Sequence, residues 1–193
     1  MSNISPDDWA VTNKYRHFML DIETLGNTSN AAVVQLGVVA FDPDTGIIEV
    51  PYSVDIDPHP KSTMDFSTIK WWMGQSDEAR EAVFSGRRVS PEEGLEHLNT
   101  YIHKFSDETV GYKVWSKPST FDLVILENLY RNCGMTQPWA HWNTRCLRTL
   151  IDNAKLPRNE EGVPEVAHEA GYDAEAQAKT AIKCFKKLDN GDA

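Results

Sequence analysis

Two acids close an apolar run near the start of the chain, in Asp21-Ile22-Glu23-Thr24. On a strand, residues two apart project from the same face. Both carboxylates would then stand side by side where the strand leaves its sheet, and they would repel each other unless cations lay between them. The plain alternative is a pair of solvated acids on an edge strand, although the apolar residues before them suit a central one. A third acid, Asp122, follows Ser116-Lys117-Pro118-Ser119 in the first turn of a helical pattern. The helix dipole alone would account for it there. The last group is His168-Glu169-Ala170-Gly171-Tyr172-Asp173. Five helical steps turn through about 500°, so His168 and Asp173 diverge on one regular helix. They converge only if His168 lies in the loop before the helix and Asp173 in its first turns, an irregularity that Gly171 would permit. Taken alone, His168 reads as a surface histidine.

Taken together, these residue types describe one reaction. Phosphodiester hydrolysis needs an attacking hydroxide, neutralised phosphoryl oxygens and a stabilised leaving oxygen, and two divalent ions about 3.5–4 Å apart supply all three. Hard ions such as Mg²⁺ or Mn²⁺ take oxygen ligands, which Asp21, Glu23, Asp122 and Asp173 would provide. Taking a proton from the attacking water suits histidine, whose ordinary pKa lies near neutrality, so His168 is the candidate general base.

Distant side chains meet in this way only if a sheet and its helices bring them together. Residues 17–23 read as a buried strand, 32–42 as a β-branched second strand and 47–56 as a third, with a strong turn signal at 42–46, so an antiparallel meander is expected. Helical spacing follows over 67–73, 77–84 and 91–105. After it come a strand over 109–115, a helix over 119–132, a short strand near 140–144, a helix over 146–153 and a final helix over 172–187. That order predicts a three-layer α/β fold with a mixed sheet and helices on both faces. Residues 1–16 read as a loose leader, 17–187 as the one domain, 188–193 as a flexible tail, and the acidic turn at 158–162 as a mobile loop.

At 193 residues with 40% hydrophobic and 25% charged content, the sequence suits one soluble α/β domain. The longest apolar runs fall far short of the roughly 20 residues of a membrane helix, and no secretory signal is visible; a cytoplasmic enzyme with no membrane partner is expected. The three cysteines, Cys133, Cys146 and Cys184, are odd in number, widely spaced and without a CxxC pair, and read as free thiols. A formal charge of −10 argues against a protein that coats duplex DNA through a basic stripe. It does not argue against an enzyme that grips a strand end, because bound ions reverse the sign of an acidic pocket.

In order and spacing, the segments 21–26, 119–122 and 168–173 resemble the three motifs of the DEDDh exonucleases, the DnaQ-like group of the RNase H-like superfamily. Residues 67–80, Trp115 and 142–150 are similar to segments of one branch of that group. The branch contains tailed-phage exonuclease A, exodeoxyribonuclease VIII-like proteins and a mycobacterial 3′→5′ exoribonuclease. The resemblance implies an RNase H-like fold and a two-metal 3′→5′ exonuclease. Such an enzyme would release nucleoside 5′-monophosphates from single-stranded nucleic acid, with DNA favoured. It also implies that Glu23, Thr24 and Leu25 embrace the terminal nucleotide, with Leu25 wedged against the last base. Ser119 and one of Trp71 and Trp72 are further substrate-binding candidates; adjacent helical residues point about 100° apart, and a stacking ring tolerates any base. Cys146 stands where some relatives carry an acid and is given no metal role. An exoribonuclease acting on RNA 3′ ends and a non-catalytic binding module stay open as alternatives. A homodimer is compatible with the resemblance, but no isolated apolar stripe marks an interface.

Overall fold

The structure is a computed structural model that describes residues 14–107 and 111–191. Its sheet has five strands in the order β3-β2-β1-β4-β5. These are β1 (His17–Thr24), β2 (Val33–Phe41), β3 (Tyr52–Asp55), β4 (Lys113–Ser116) and β5 (Thr144–Cys146). The first three form the expected antiparallel meander, and β4 and β5 add in parallel to β1. The helices are α1 (Phe66–Met73), α2 (Asp77–Phe84), α3 (Pro91–Phe105), α4 (Asp122–Asn132), α5 (Leu147–Ala154) and α6 (Ala170–Asp189).

Alternation along β1 divides the core in two. Phe18, Leu20 and Ile22 pack with α3 and α4 residues such as Leu98, Ile102, Leu126 and Tyr130. Met19 packs on the opposite face with Trp115, Leu147, Ala174, Ala178 and Ile182, from β4, α5 and α6. Asp21 and Glu23 share the parity of Met19 and therefore face α6. Three helices start on side-chain caps that the sequence displays: Asp65 for α1, Ser76 for α2 and Ser90 for α3.

Several boundaries shift for local reasons. The third strand shrinks from 47–56 to four residues, next to Pro51, which has no N–H to give a ladder. The strand expected near 140–144 is mainly a 3-10 turn, and pairing begins only at Thr144. Of the strand expected over 109–115, residues 109 and 110 lie outside the described residues, as does most of the leader. Tyr15, which was read as part of that leader, is 2% exposed in the main core. The last helix continues to Asp189, into the expected tail. Among the described residues no helix is long and apolar enough to cross a membrane.

Candidate active site

β1, β4 and β5 run parallel, so their C-terminal ends gather at one side of the sheet. Asp21 and Glu23 lie at that end of β1. The chain leaving β4 at Ser116 turns into α4, whose first residue is Asp122. The last component arrives with α6, which crosses the sheet over β1 and β2.

The close approach of α6 depends on Gly37. That residue pairs with Asp21 in the ladder, and a Cβ there would come within 2.2 Å of the Ala170 carbonyl. Polar contacts fasten the same point. Gln35 Oε1 accepts from the Ala170 N–H at 2.8 Å, while Gln35 Nε2 donates to Asp55 and to the Ala82 carbonyl. The Ser53 hydroxyl donates to Glu169, which caps α6 by accepting from the Tyr172 N–H. Docked in this way, α6 places Asp173 in its first turn, and Gln177 one turn later donates to Asp21 Oδ1 at 2.6 Å.

His168 precedes the helix in a left-handed conformation, with φ of 63°. The irregularity therefore falls on the histidine itself; Gly171, where it was expected, is a buried helical residue held close to Ser53 and Glu169. The His168 backbone N–H favours the charged form of the Asp173 carboxylate, so the two residues lie close together across the start of the helix. Ligand atoms of Glu23, His168 and Asp173 lie within 4.8 Å of one another.

The electrostatics describe a cluster short of positive charge. Burial drives Asp21 well above the usual carboxylate range, reinforced by the charges of Asp122, Glu23 and Asp173. Burial, followed by Asp173, Asp122 and Glu169, does the same to Glu23. Burial pushes Asp122 up to about 7, against hydrogen bonds from its own and the Ile22 N–H and the influence of Arg148. Its Oδ2 is buried without a hydrogen-bond partner. Burial also raises Asp173, opposed by the His168 N–H, the His168 ring and Lys117. Thus all five residues proposed from the sequence for metal and proton work assemble at one place.

The substrate-binding candidates divide. Trp72 is 3% exposed and its Nε1 donates to the Thr24 carbonyl at 2.9 Å. Of the two candidates for stacking, Trp72 is therefore the one that packs in the core, where its ring holds the backbone of the first motif and is closed to a base. Trp71 is 45% exposed, and its ring sits edge-on to His168 with centroids 4.9 Å apart. Leu25 is half-buried beside Val34, Trp72 and Val83. Thr24 is buried, and its hydroxyl donates to the Gly26 carbonyl. Ser119 is half-buried and turns toward Cys146. Burial resists ionisation of that thiol, but hydrogen bonds from Ser119 and Thr149 outweigh it and lower the thiol to about 7.

Sequence reasoning passed over Gln35, Gly37 and Gln177. A glutamine on an amphipathic helix carries no sign that it will face a carboxylate. The only hint at Gly37 was a glycine inside a β-branched strand, which marks close backbone approach. The acidic turn at 158–162, read as mobile, is tied down instead. Lys117 pairs with Glu161, Lys183 donates to the Glu160 carbonyl, and the Gly162 N–H donates to the Thr180 hydroxyl.

Known proteins share the sequence pattern and the fold of this chain. The sequence pattern of the 3′-5′ exoribonuclease Rv2179c-like domain matches residues 16–185. An exodeoxyribonuclease of Enterobacteria phage T4 is 32% identical over 166 residues, which span 74% of this chain and 73% of that protein. Among solved structures, the nuclease domain of 3′hExo, a DEDDh family member bound to rAMP, shares 15% identity with a TM-score of 0.59, covering 94% of this chain and 96% of that one. E. coli exonuclease I in complex with a 5cy-dT13 oligonucleotide gives a TM-score of 0.62 at 15% identity, over 92% of this chain but 44% of that one. At such identities the structural likeness is one of fold, and the fold is RNase H-like. The chain belongs to the 3′-5′ exoribonuclease Rv2179c-like domain family and is a 3′→5′ exonuclease.

Proposed function

We propose that this exonuclease degrades single-stranded DNA from its 3′ end, releasing nucleoside 5′-monophosphates, with two Mg²⁺ or Mn²⁺ ions held by Asp21, Glu23, Asp122 and Asp173. The observation that carries the reading is the meeting of four carboxylates from β1, α4 and α6, Glu23 and Asp122 buried and Asp21 and Asp173 half-buried, with the His168 ring beside them. The donor set fits such ions: every candidate ligand is a hard oxygen, and Asp122 Oδ2 has no protein partner. When bound, a pair of divalent ions neutralises the phosphoryl oxygens and eases departure of the leaving oxygen.

The chain's own residues do the rest. Gln177 fixes the rotamer of Asp21 through the bond to Oδ1. His168 takes the proton of the attacking water, with its ring steadied against Trp71 and Trp72. Leu25 wedges against the terminal base, and exposed Trp71 offers a face for stacking that does not depend on sequence.

DNA is favoured by the T4 exodeoxyribonuclease, most of whose length this chain matches. The family's description as exoribonuclease supports the second reading, action on RNA 3′ ends. Incubating 5′-labelled DNA and RNA oligonucleotides of one sequence with Mg²⁺ or Mn²⁺ decides between them. The expected result is a ladder shortening from the 3′ end, faster for DNA, and abolished by Asp21→Ala. Equal inertness of wild type and Asp21→Ala on every single strand would leave a binding module and sink the catalytic reading.

A further inference from the structure

Basic side chains are outnumbered in this chain, 19 lysines and arginines against 29 acids, and many are committed locally. Lys113 donates to Asn143, Arg145 to the Trp142 and Thr144 carbonyls, Arg80 pairs with Asp77, and Arg88 donates to the Val34, Ile56 and Val83 carbonyls. Three others converge. Lys117, Arg148 and Arg158 line one cleft of about 430 Å³ together with Ile151, Asp152 and Glu161. The cleft adjoins the carboxylate cluster: Lys117 acts on Asp173, and Arg148 on Asp122.

Resting on the exonuclease reading, we infer that this cleft carries the sugar-phosphate backbone of the single strand upstream of the scissile bond, and that Glu161 restrains it by occupying Lys117 in the free enzyme. Arg148 and Arg158 are exposed, so their guanidinium groups are free to follow a flexible backbone. Arginine suits the task through its planar fork of donors, which matches phosphate oxygens. Lys117 is different: it is half-buried and paired with Glu161. A phosphate entering the cleft exchanges for the Glu161 carboxylate, and that exchange lowers the net gain from binding. Asp152 opposes the strand as well, so the cleft balances three cations against two acids. That balance suits an enzyme that must let the strand advance after each cut.

Two substrates separate the cleft from the catalytic centre: a 12-nucleotide single strand and thymidine 5′-p-nitrophenyl phosphate, which has no upstream backbone. Arg148→Gln and Arg158→Gln should each raise KM for the oligonucleotide about tenfold at low salt. Each should also flatten the slope of log(1/KM) against log[salt] by about 0.7, the value for one lost contact to a single strand. The penalty on the small ester should be far smaller for Arg158→Gln. Glu161→Gln should act in the opposite sense and lower KM for the oligonucleotide by freeing Lys117. Lys113→Gln and Arg145→Gln, whose cations are engaged elsewhere, should leave both substrates unaffected. Unchanged oligonucleotide KM and salt slope in Arg148→Gln and Arg158→Gln, with wild type active, would overturn the cleft alone. Wild type inert on both substrates would overturn the exonuclease reading on which it rests.

Discussion

Asp122→Asn should make the metal-free protein more stable at alkaline pH while abolishing turnover. Burial lifts the Asp122 carboxyl to about 7, from an ordinary 3.8. A folded-state pKa above the unfolded value means that the folded form binds the extra proton. The group's contribution to stability is therefore complete below pH 4 and lost as pH rises through 7. Three units amount to about 4 kcal/mol at pH 8, as a ceiling. Asp21 and Glu23 share the excess charge and take up protons themselves, so about half of that, ~2 kcal/mol, is a fairer expectation. Asparagine carries no charge, and an amide nitrogen in place of the unpartnered Oδ2 can donate to the neighbouring carboxylates. At about 2–4 °C per kcal/mol for a chain of this size, the midpoint should rise by about 4–8 °C. The assay is thermal melting in EDTA at pH 4 and pH 8. The variant and wild type should nearly coincide at pH 4 and separate at pH 8. Adding Mg²⁺ should then stabilise wild type more than the variant, by about 2.7 kcal/mol at a hundredfold excess over Kd for a single ion. A variant less stable than wild type at pH 8, or equally shifted at both pH values, would refute the account of Asp122 as an uncompensated acid.

Four further substitutions probe separate parts of the site. His168→Ala should lower kcat by about 10²–10⁴ as a lost general base, with Mn²⁺ binding followed by electron paramagnetic resonance largely retained; lost affinity would make the ring a ligand. Trp71→Ala should weaken single-strand binding by about 1–3 kcal/mol with little change in Tm, whereas Trp72→Ala should cost about 3–5 kcal/mol of stability; titration and melting of both variants separate the roles, and matching effects would contradict them. Gly37→Ala forces a methyl to within 2.2 Å of the Ala170 carbonyl, so it should destabilise by about 1–3 kcal/mol or more and depress activity even in the folded fraction, as read by melting and by turnover per folded molecule.

Much of the site could be read in the sequence because local rules govern it. Strand periodicity alone puts Asp21 and Glu23 on one face. The run 119–132 places an acid at a helix start, and helical geometry shows that His168 and Asp173 meet only across a helix boundary. The same geometry shows that Trp71 and Trp72 part company, but not which one is buried. That depends on the Thr24 carbonyl, which accepts from Trp72 across a separation of 48 residues. Gln177 and Gln35 were invisible for a similar reason: their partners, Asp21 and Ala170, lie 156 and 135 residues away. The turn at 158–162 was misread because its polarity suggests solvent. Its anchors, Thr180, Lys183 and Lys117, come from α6 and the β4–α4 connection. Local propensity sets which side chains are presented, and tertiary contacts set which of them are held still.

The fastening of α6 matters because the cluster itself opposes it. With the acids ionised, Asp173 on α6 is repelled by Glu23 on β1, and Glu23 also feels Glu169 at the helix cap. Left to electrostatics, the start of α6 would move away from the sheet and the pocket would open. What holds it includes neutral contacts, the Gly37–Ala170 packing and the Gln35 bond to the Ala170 N–H, together with the Ser53 hydroxyl bond to the Glu169 carboxylate. None of these weakens when the acids lose their protons, and the bonds donated to carboxylates, from Ser53 to Glu169 and from Gln177 to Asp21, strengthen with the charge. The repulsion is thus carried by fixed packing and amide hydrogen bonds, so the carboxylates stay grouped before any cation arrives. Such preorganisation lets a site stabilise charge during a reaction without first rearranging. It also explains why a glycine and two glutamines, with no chemistry of their own, belong to the catalytic architecture as fully as the acids they position.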